Sequence, residues 1–117
     1  MKNIILLILF VFTPLVKAQT TSCQDVYEFI LDKGYKANSI NLAVYSSSML
    51  VKVERYTYDG KNFVVGFIKQ NDYDSKGAPY LFCGVSSYDW SSFQYNYLSS
   101  AGEAFHKYIM PYKCNCR

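Results

Sequence analysis

Residues 79–109 read PYLFCGVSSYDWSSFQYNYLSSAGEAFHKYI, and this stretch decides the fold. Tyr80-Leu81-Phe82 is a short apolar run ended by Gly84, the length and composition of a strand, with Tyr80 and Phe82 on one face and expected to face the core. Ser86 or Ser87 then precedes a helix predicted over about 88–94, where a serine hydroxyl can accept from the first helical turn. Residues 96–100 read as a break. A last helix is predicted from Glu103 to Met110, with Phe105 and Ile109 four residues apart and Ala104 and Tyr108 on the adjoining ridge. Pro111, which has no N–H to donate, stops it. A strand handed over to two helices predicts a sheet with a helical layer.

Working back from Pro79, the loop 69–78 is polar. Asp72 and Asp74 lie two apart in it, but no calcium-loop spacing follows, so it reads as a solvated loop with no metal. Phe63, Val65 and Phe67 alternate with Val64, Gly66 and Ile68, which predicts a strand. Asp59-Gly60-Lys61 is a hairpin turn, because Asp-Gly tolerates the positive φ that such turns need. Over 49–58, Met49, Val51 and Val53 fall on one side and Tyr56 and Tyr58 on the other. That change of phase predicts a bulge near Glu54-Arg55. Ile40, Leu42 and Val44 predict a further strand over 40–45, with 35–39 as a connector. Ser22 and Asp25 form a capping pair for a first helix. Its stripe is Val26, Phe29, Ile30 and the stem of Lys33, and Gly34 ends it. The expected fold is α+β: a small antiparallel β-sheet of three to four strands, an N-terminal helix and C-terminal helices packed on it, the helices on one face.

Residues 1–18 read as a secretory signal peptide. Lys2 supplies the positive start, residues 4–12 the apolar run, and Val16-Lys17-Ala18 the cleavage pattern before Gln19. The apolar run is too short to span a bilayer, which needs about 20 residues. Removing Lys2 and Lys17 with the leader lowers the formal net charge from +3 to +1 and leaves 99 residues, enough for one domain. The remaining basic residues are scattered, so the concentrated footprint of a nucleic-acid binder is missing from the sequence.

A domain this small gains much from staples. Cys23, Cys83, Cys114 and Cys116 can supply two disulfides in an oxidising compartment. A Cys114–Cys116 ring would be very tight, which leaves Cys23 and Cys83 each joined to one cysteine of the tail, in either arrangement. The spacing matches no zinc module.

Catalytic signals are weak. His106 and Glu103 are one helical turn apart, but no nucleophile is fixed beside them. Ser99 and Ser100 lack the context of a nucleophile elbow, and Ser100 reads as a cap for the last helix, with Gly102 letting it approach the sheet. The aromatic residues carry the functional signal. The ten Tyr between Tyr45 and Tyr112, with Trp90 and Phe93, make either the core and its rim or a stacking surface, and Tyr88, Trp90, Phe93, Tyr95, Tyr97 and His106 are the candidate binding surface.

The order of motifs over 47–112 resembles the KTSC domain, a short module found alone in bacterial proteins and at the C-terminus of some lysyl-tRNA synthetases. Ser47-Ser48 precede the strand from Leu50 to Val53, Phe63 to Phe67 is the second strand, and Tyr80-x-Phe82 with Val85 stands at the family's Tyr-x-Tyr. Ser100-x-Gly102, Phe105 and Ile109 complete the pattern. Phe82 stands where the family has a second Tyr, and His106 where Asn is common. The resemblance implies a small α+β module, and RNA binding is the activity suggested for that family.

The expected organisation is a signal peptide over 1–18, a helix and connector or strand over 19–46, a KTSC-like domain over 47–112 and a cysteine-bearing tail over 113–117. The expected function is an exported, non-catalytic binding module, secreted or periplasmic, without a cofactor. Its partner is expected to be an envelope or extracellular protein or glycan. The alternative is an RNA- or other nucleic-acid-binding domain.

Overall fold

A computed structural model describes residues 22–42 and 49–116. The predicted leader, Val44, Tyr45 and the Ser46-Ser47-Ser48 run lie outside the described residues. The elements are α1 (Cys23–Lys33), β1 (Tyr35–Asn41), β2 (Leu50–Tyr58), β3 (Lys61–Ile68), β4 (Ala78–Cys83), α2 (Ser87–Asn96), α3 (Ala101–Tyr108) and a 3₁₀ turn (Met110–Tyr112). The four strands form one antiparallel meander in the order β1-β2-β3-β4. This is the expected α+β class.

The helices cover both faces of the sheet, which corrects the expected one-sided layer. Leu50, Val53, Val64 and Phe82 pack with Trp90, Phe93, Phe105 and Ile109 on the α2–α3 face. Tyr56, Val65 and Leu81 pack with Ile30 and Cys114 on the α1 face. The same fact removes the expected bulge at Glu54-Arg55. Val53 and Tyr56 lie on opposite faces by ordinary strand alternation, and both faces are dry enough to take an apolar side chain. Pairing of β2 with β3 is continuous there; the register shifts lie instead between Leu50 and Lys52, and between Lys36 and Asn38.

Residues 35–39, expected as a connector, form most of β1. The strand escapes an apolar pattern because it is a polar edge strand, held by pairing with β2 rather than by burial. The α1 stripe is also shifted. Ile30 is buried, Val26 and Tyr27 pack beside it, and Phe29 is exposed in an edge-to-face contact with Tyr58 at 5.0 Å. Lys33 is exposed and pairs with Asp32. Cys23, Val26, Tyr27 and Ile30 therefore make the inward ridge, with the disulfide and the Tyr27 ring replacing purely aliphatic packing.

Local signals are met in detail. Ser22 accepts from Asp25 N and Ser86 from Asp89 N, each at 3.0 Å, so both helices start as the sequence predicts. Asp59 and Gly60 take positive φ of 52° and 73° in the two-residue β2–β3 turn. The last helix begins two residues earlier than expected and ends at Tyr108, with Pro111 in the 3₁₀ turn. Ser100 occupies the N-cap position of α3, but its side chain makes no capping bond.

The close approach of helix to sheet occurs at Gly66, and not at Gly102 as expected. A Cβ on Gly66 would lie 2.6 Å from the tip of the Phe105 ring, whereas one on Gly102 would meet nothing within 4 Å among the described residues. Phe105 is fully buried and packs edge-on against Phe82 at 5.2 Å. A β3 position without a side chain is the socket that admits this ring.

Candidate functional site

The disulfides pair Cys23 with Cys116 and Cys83 with Cys114. This selects one of the two arrangements left open by the sequence. The tail is drawn along β4, the edge strand: Lys113 forms a bridge with Phe82, and Cys114 N donates to the Leu81 carbonyl at 3.3 Å. Between the start of α1, β4 and this tail lies a groove of about 420 Å³. Cys23, Gln24 and Tyr27 form one wall, Pro79, Tyr80 and Leu81 the second, and Lys113, Cys114 and Cys116 the third. Both disulfides thus contribute to its frame.

The β4 edge within the groove is closed to strand addition. Leu81 presents its carbonyl outward, so alternation also turns the backbone of Pro79 outward, where no N–H exists to extend a ladder.

Behind Tyr27 lies a polar cluster that the sequence did not announce. Glu54 is only 4% exposed on the α1 face of β2. Its carboxylate is 3.2 Å from Lys36 Nζ and 3.5 Å from Lys52 Nζ. It also accepts from Tyr56 OH at 3.1 Å and Ser39 Oγ at 3.4 Å. Burial alone would push the Glu54 carboxyl up, but Lys36, Lys52 and the Tyr56 hydroxyl outweigh it and hold the carboxyl below its ordinary value. The bond to Glu54 raises Lys36 in turn. Burial, reinforced by the Glu54 charge, raises the phenols of Tyr27 and Tyr56, so both stay protonated at neutral pH. A carboxylate so fully engaged by donors is a poor general base. It fixes β1 against β2 under α1. The signal available in the sequence was a lone Glu in an apolar strand flanked by Lys52 and Tyr56.

The opposite face carries a second polar set. Arg55 donates to Asn38 and Asn62, each at 2.7 Å, and its guanidinium lies 5.6 Å from the Trp90 ring centroid. Asn62 ties in the Val85 carbonyl at 2.9 Å. Among the described residues the buried Trp90 Nε1 has no hydrogen-bond partner.

The predicted aromatic surface divides. Trp90 and Phe93 are buried and belong to the core, which removes them from any binding face. They are the inward positions of α2, three apart. Tyr97 is half-buried and stacks on Phe93 at 5.8 Å. Tyr88 and Tyr95 are 78% and 85% exposed and share the outer side of α2. His106 is exposed on α3, and among the described residues it has no hydrogen-bond or ion-pair partner that would orient its ring; the shallow hollow beside Ser99 and Ser100 includes Glu103 but not His106. Of the residues carrying the family resemblance, Phe82, Val85, Phe105 and Ile109 are buried, and Ser47 and Ser48 lie outside the described residues. Tyr80, expected to face the core with Phe82, is 39% exposed and lines the groove, because β4 is an edge strand.

In the loop before β4, Asp74 accepts from the backbone N–H groups of Gly77, Gln70 and Lys76 at 2.9–3.1 Å. Those bonds lower its carboxyl pKa and account for the residue as a loop staple. Among the described residues no helix is long and apolar enough to cross a membrane. No family model, curated protein or solved structure matches the chain.

Proposed function

We propose that this chain is an exported, non-catalytic binding module of KTSC-like type, secreted or periplasmic, and that the groove between α1, β4 and the tail is where it binds. The groove carries the reading: a preformed, largely apolar recess of about 420 Å³ framed by two disulfides, in the size range of small-ligand sites. A partner from the envelope or the extracellular space suits the leader pattern and the disulfides. Nucleic acid suits the molecule less. Lys36 and Lys52, which the fold brings together, share the charge of Glu54 and present a net +1 rather than +2.

The test is amide shift mapping on the oxidised protein, mature from Gln19, titrated with fractionated culture fluid or periplasmic extract. The proposal expects saturable shifts centred on Gln24, Tyr27, Leu81 and Lys113. Shifts centred on Tyr88 and Tyr95, or saturable binding of random RNA in place of any extract component, would contradict it.

A further inference from the structure

We propose that the groove takes a small organic acid, its apolar body against Tyr27, Tyr80 and Leu81 and its carboxylate at Lys113. This rests on the groove being the binding site and names its ligand class.

Charge is the first argument. Among the described residues Lys113 is the only charged residue of the lining, and no acid accompanies it there. Among the described residues its ammonium has no ion-pair partner, unlike Lys36 and Lys52. Gln24, the other polar side chain there besides the tyrosines, is uncharged and donates one of its two amide N–H groups to Glu28 at 3.0 Å. The free cationic donor is therefore Lys113. Tyr27 remains a neutral phenol beside Glu54 and does not repel an anion.

Placement is the second argument. The backbone of Lys113 is held by its bridge to Phe82 and by donation to the Met110 carbonyl at 3.2 Å. Cys114, disulfide-bonded to Cys83, follows it directly. The stem of the lysine thus starts from a fixed point at the groove wall, so little ordering is left to the moment of binding. The remaining walls offer rings, proline and disulfide sulfur, surfaces that favour an apolar body.

The third argument concerns the occupant. Pro79 and the engaged Leu81 carbonyl leave no ladder for an added strand, so an extended protein segment gains no backbone pairing here. A compact acid needs none.

The experiment titrates the oxidised protein with three matched probes, 3-phenylpropionate, 3-phenylpropionamide and phenethylammonium, followed by amide shifts. The carboxylate is expected to bind in the groove at least about 5-fold more tightly than the amide, with the difference shrinking in high salt. Lys113→Gln should reduce carboxylate affinity to that of the amide, and Lys113→Arg should retain it. Equal affinity for acid and amide, or a Lys113→Gln variant that binds the acid unchanged, overturns the ligand class while leaving the groove as a site. Shifts absent for all three probes, or located at Tyr88 and Tyr95, overturn both.

Discussion

The two faces of the sheet are closed by different means. The α2–α3 face is a sealed aromatic core in which Phe82, Phe93 and Phe105 interlock. The α1 face has fewer buried side chains, and its helix is held by a disulfide at one end and a buried carboxylate network beneath. A face closed by packing leaves no room. One closed by staples can keep a recess open between them, and the groove lies there. The contrast teaches that in a domain of this size covalent links can hold a face together while part of it stays open as a groove.

The largest expected effect strikes the stapled face. Replacing Cys23 and Cys116 by Ser opens a link between residues 93 apart and should lower stability by about 4–5 kcal/mol in the chain-entropy model, measured by urea unfolding. The corresponding change at Cys83 and Cys114, 31 apart, should lower it by about 3–4 kcal/mol.

On the packed face, Phe105→Ala should cost about 3–5 kcal/mol, because a fully buried ring leaves its cavity against Gly66. Gly66→Ala should cost about 1–3 kcal/mol by overpacking against the same ring. Combined with Phe105→Leu, Gly66→Ala should be less costly than the sum of the two single changes. Strict additivity in the double-mutant cycle would mean the socket is not what holds the ring.

Glu54→Gln tests the network under α1 and should cost about 1–3 kcal/mol, since two lysines lose their shared partner but both are partly solvated. It should also alter the acid limb of the stability curve. Glu54 binds its proton less readily folded than unfolded, so its contribution is complete above the ordinary carboxylate range and is lost as pH falls through its depressed folded value. Lys36 acts in the other direction: raised in the folded state, it contributes below the ordinary lysine range and is lost as pH rises through its folded value. Urea midpoints against pH for wild type and Glu54→Gln should converge at both ends. The smallest effect is expected at Ser86→Ala, about 1 kcal/mol, from loss of the α2 cap.

The difference between the faces also explains what was legible in the sequence. Much of the α2–α3 face follows from periodicity and caps, with Phe105 and Ile109 four apart and Ser86 before the helix, although Trp90 and Phe93 read as surface and are its core. The α1 face does not, because it depends on pairings that sequence spacing leaves open. Four cysteines were visible, but which cysteine of the tail met Cys23 was not. Residues 35–39 of β1 read as a connector because the stability of that part comes from its partner strand and from Lys36 and Ser39 meeting Glu54, and none of these leaves an apolar alternation. Tyr80 was placed in the core on strand parity, which is blind to a strand being at the sheet edge. The groove needs β4, α1 and the tail brought together from residues up to 93 apart, and no local pattern encodes it.

Native-state hydrogen exchange on the Cys23→Ser/Cys116→Ser variant tests the contrast directly. The account predicts that amides of α1 around Tyr27 and Ile30 exchange through a partial opening of lower free energy, while those around Phe105 and Ile109 exchange only with global unfolding. Loss of protection in step across α1 and α3 would contradict it, and would mean that the two faces form one cooperative core.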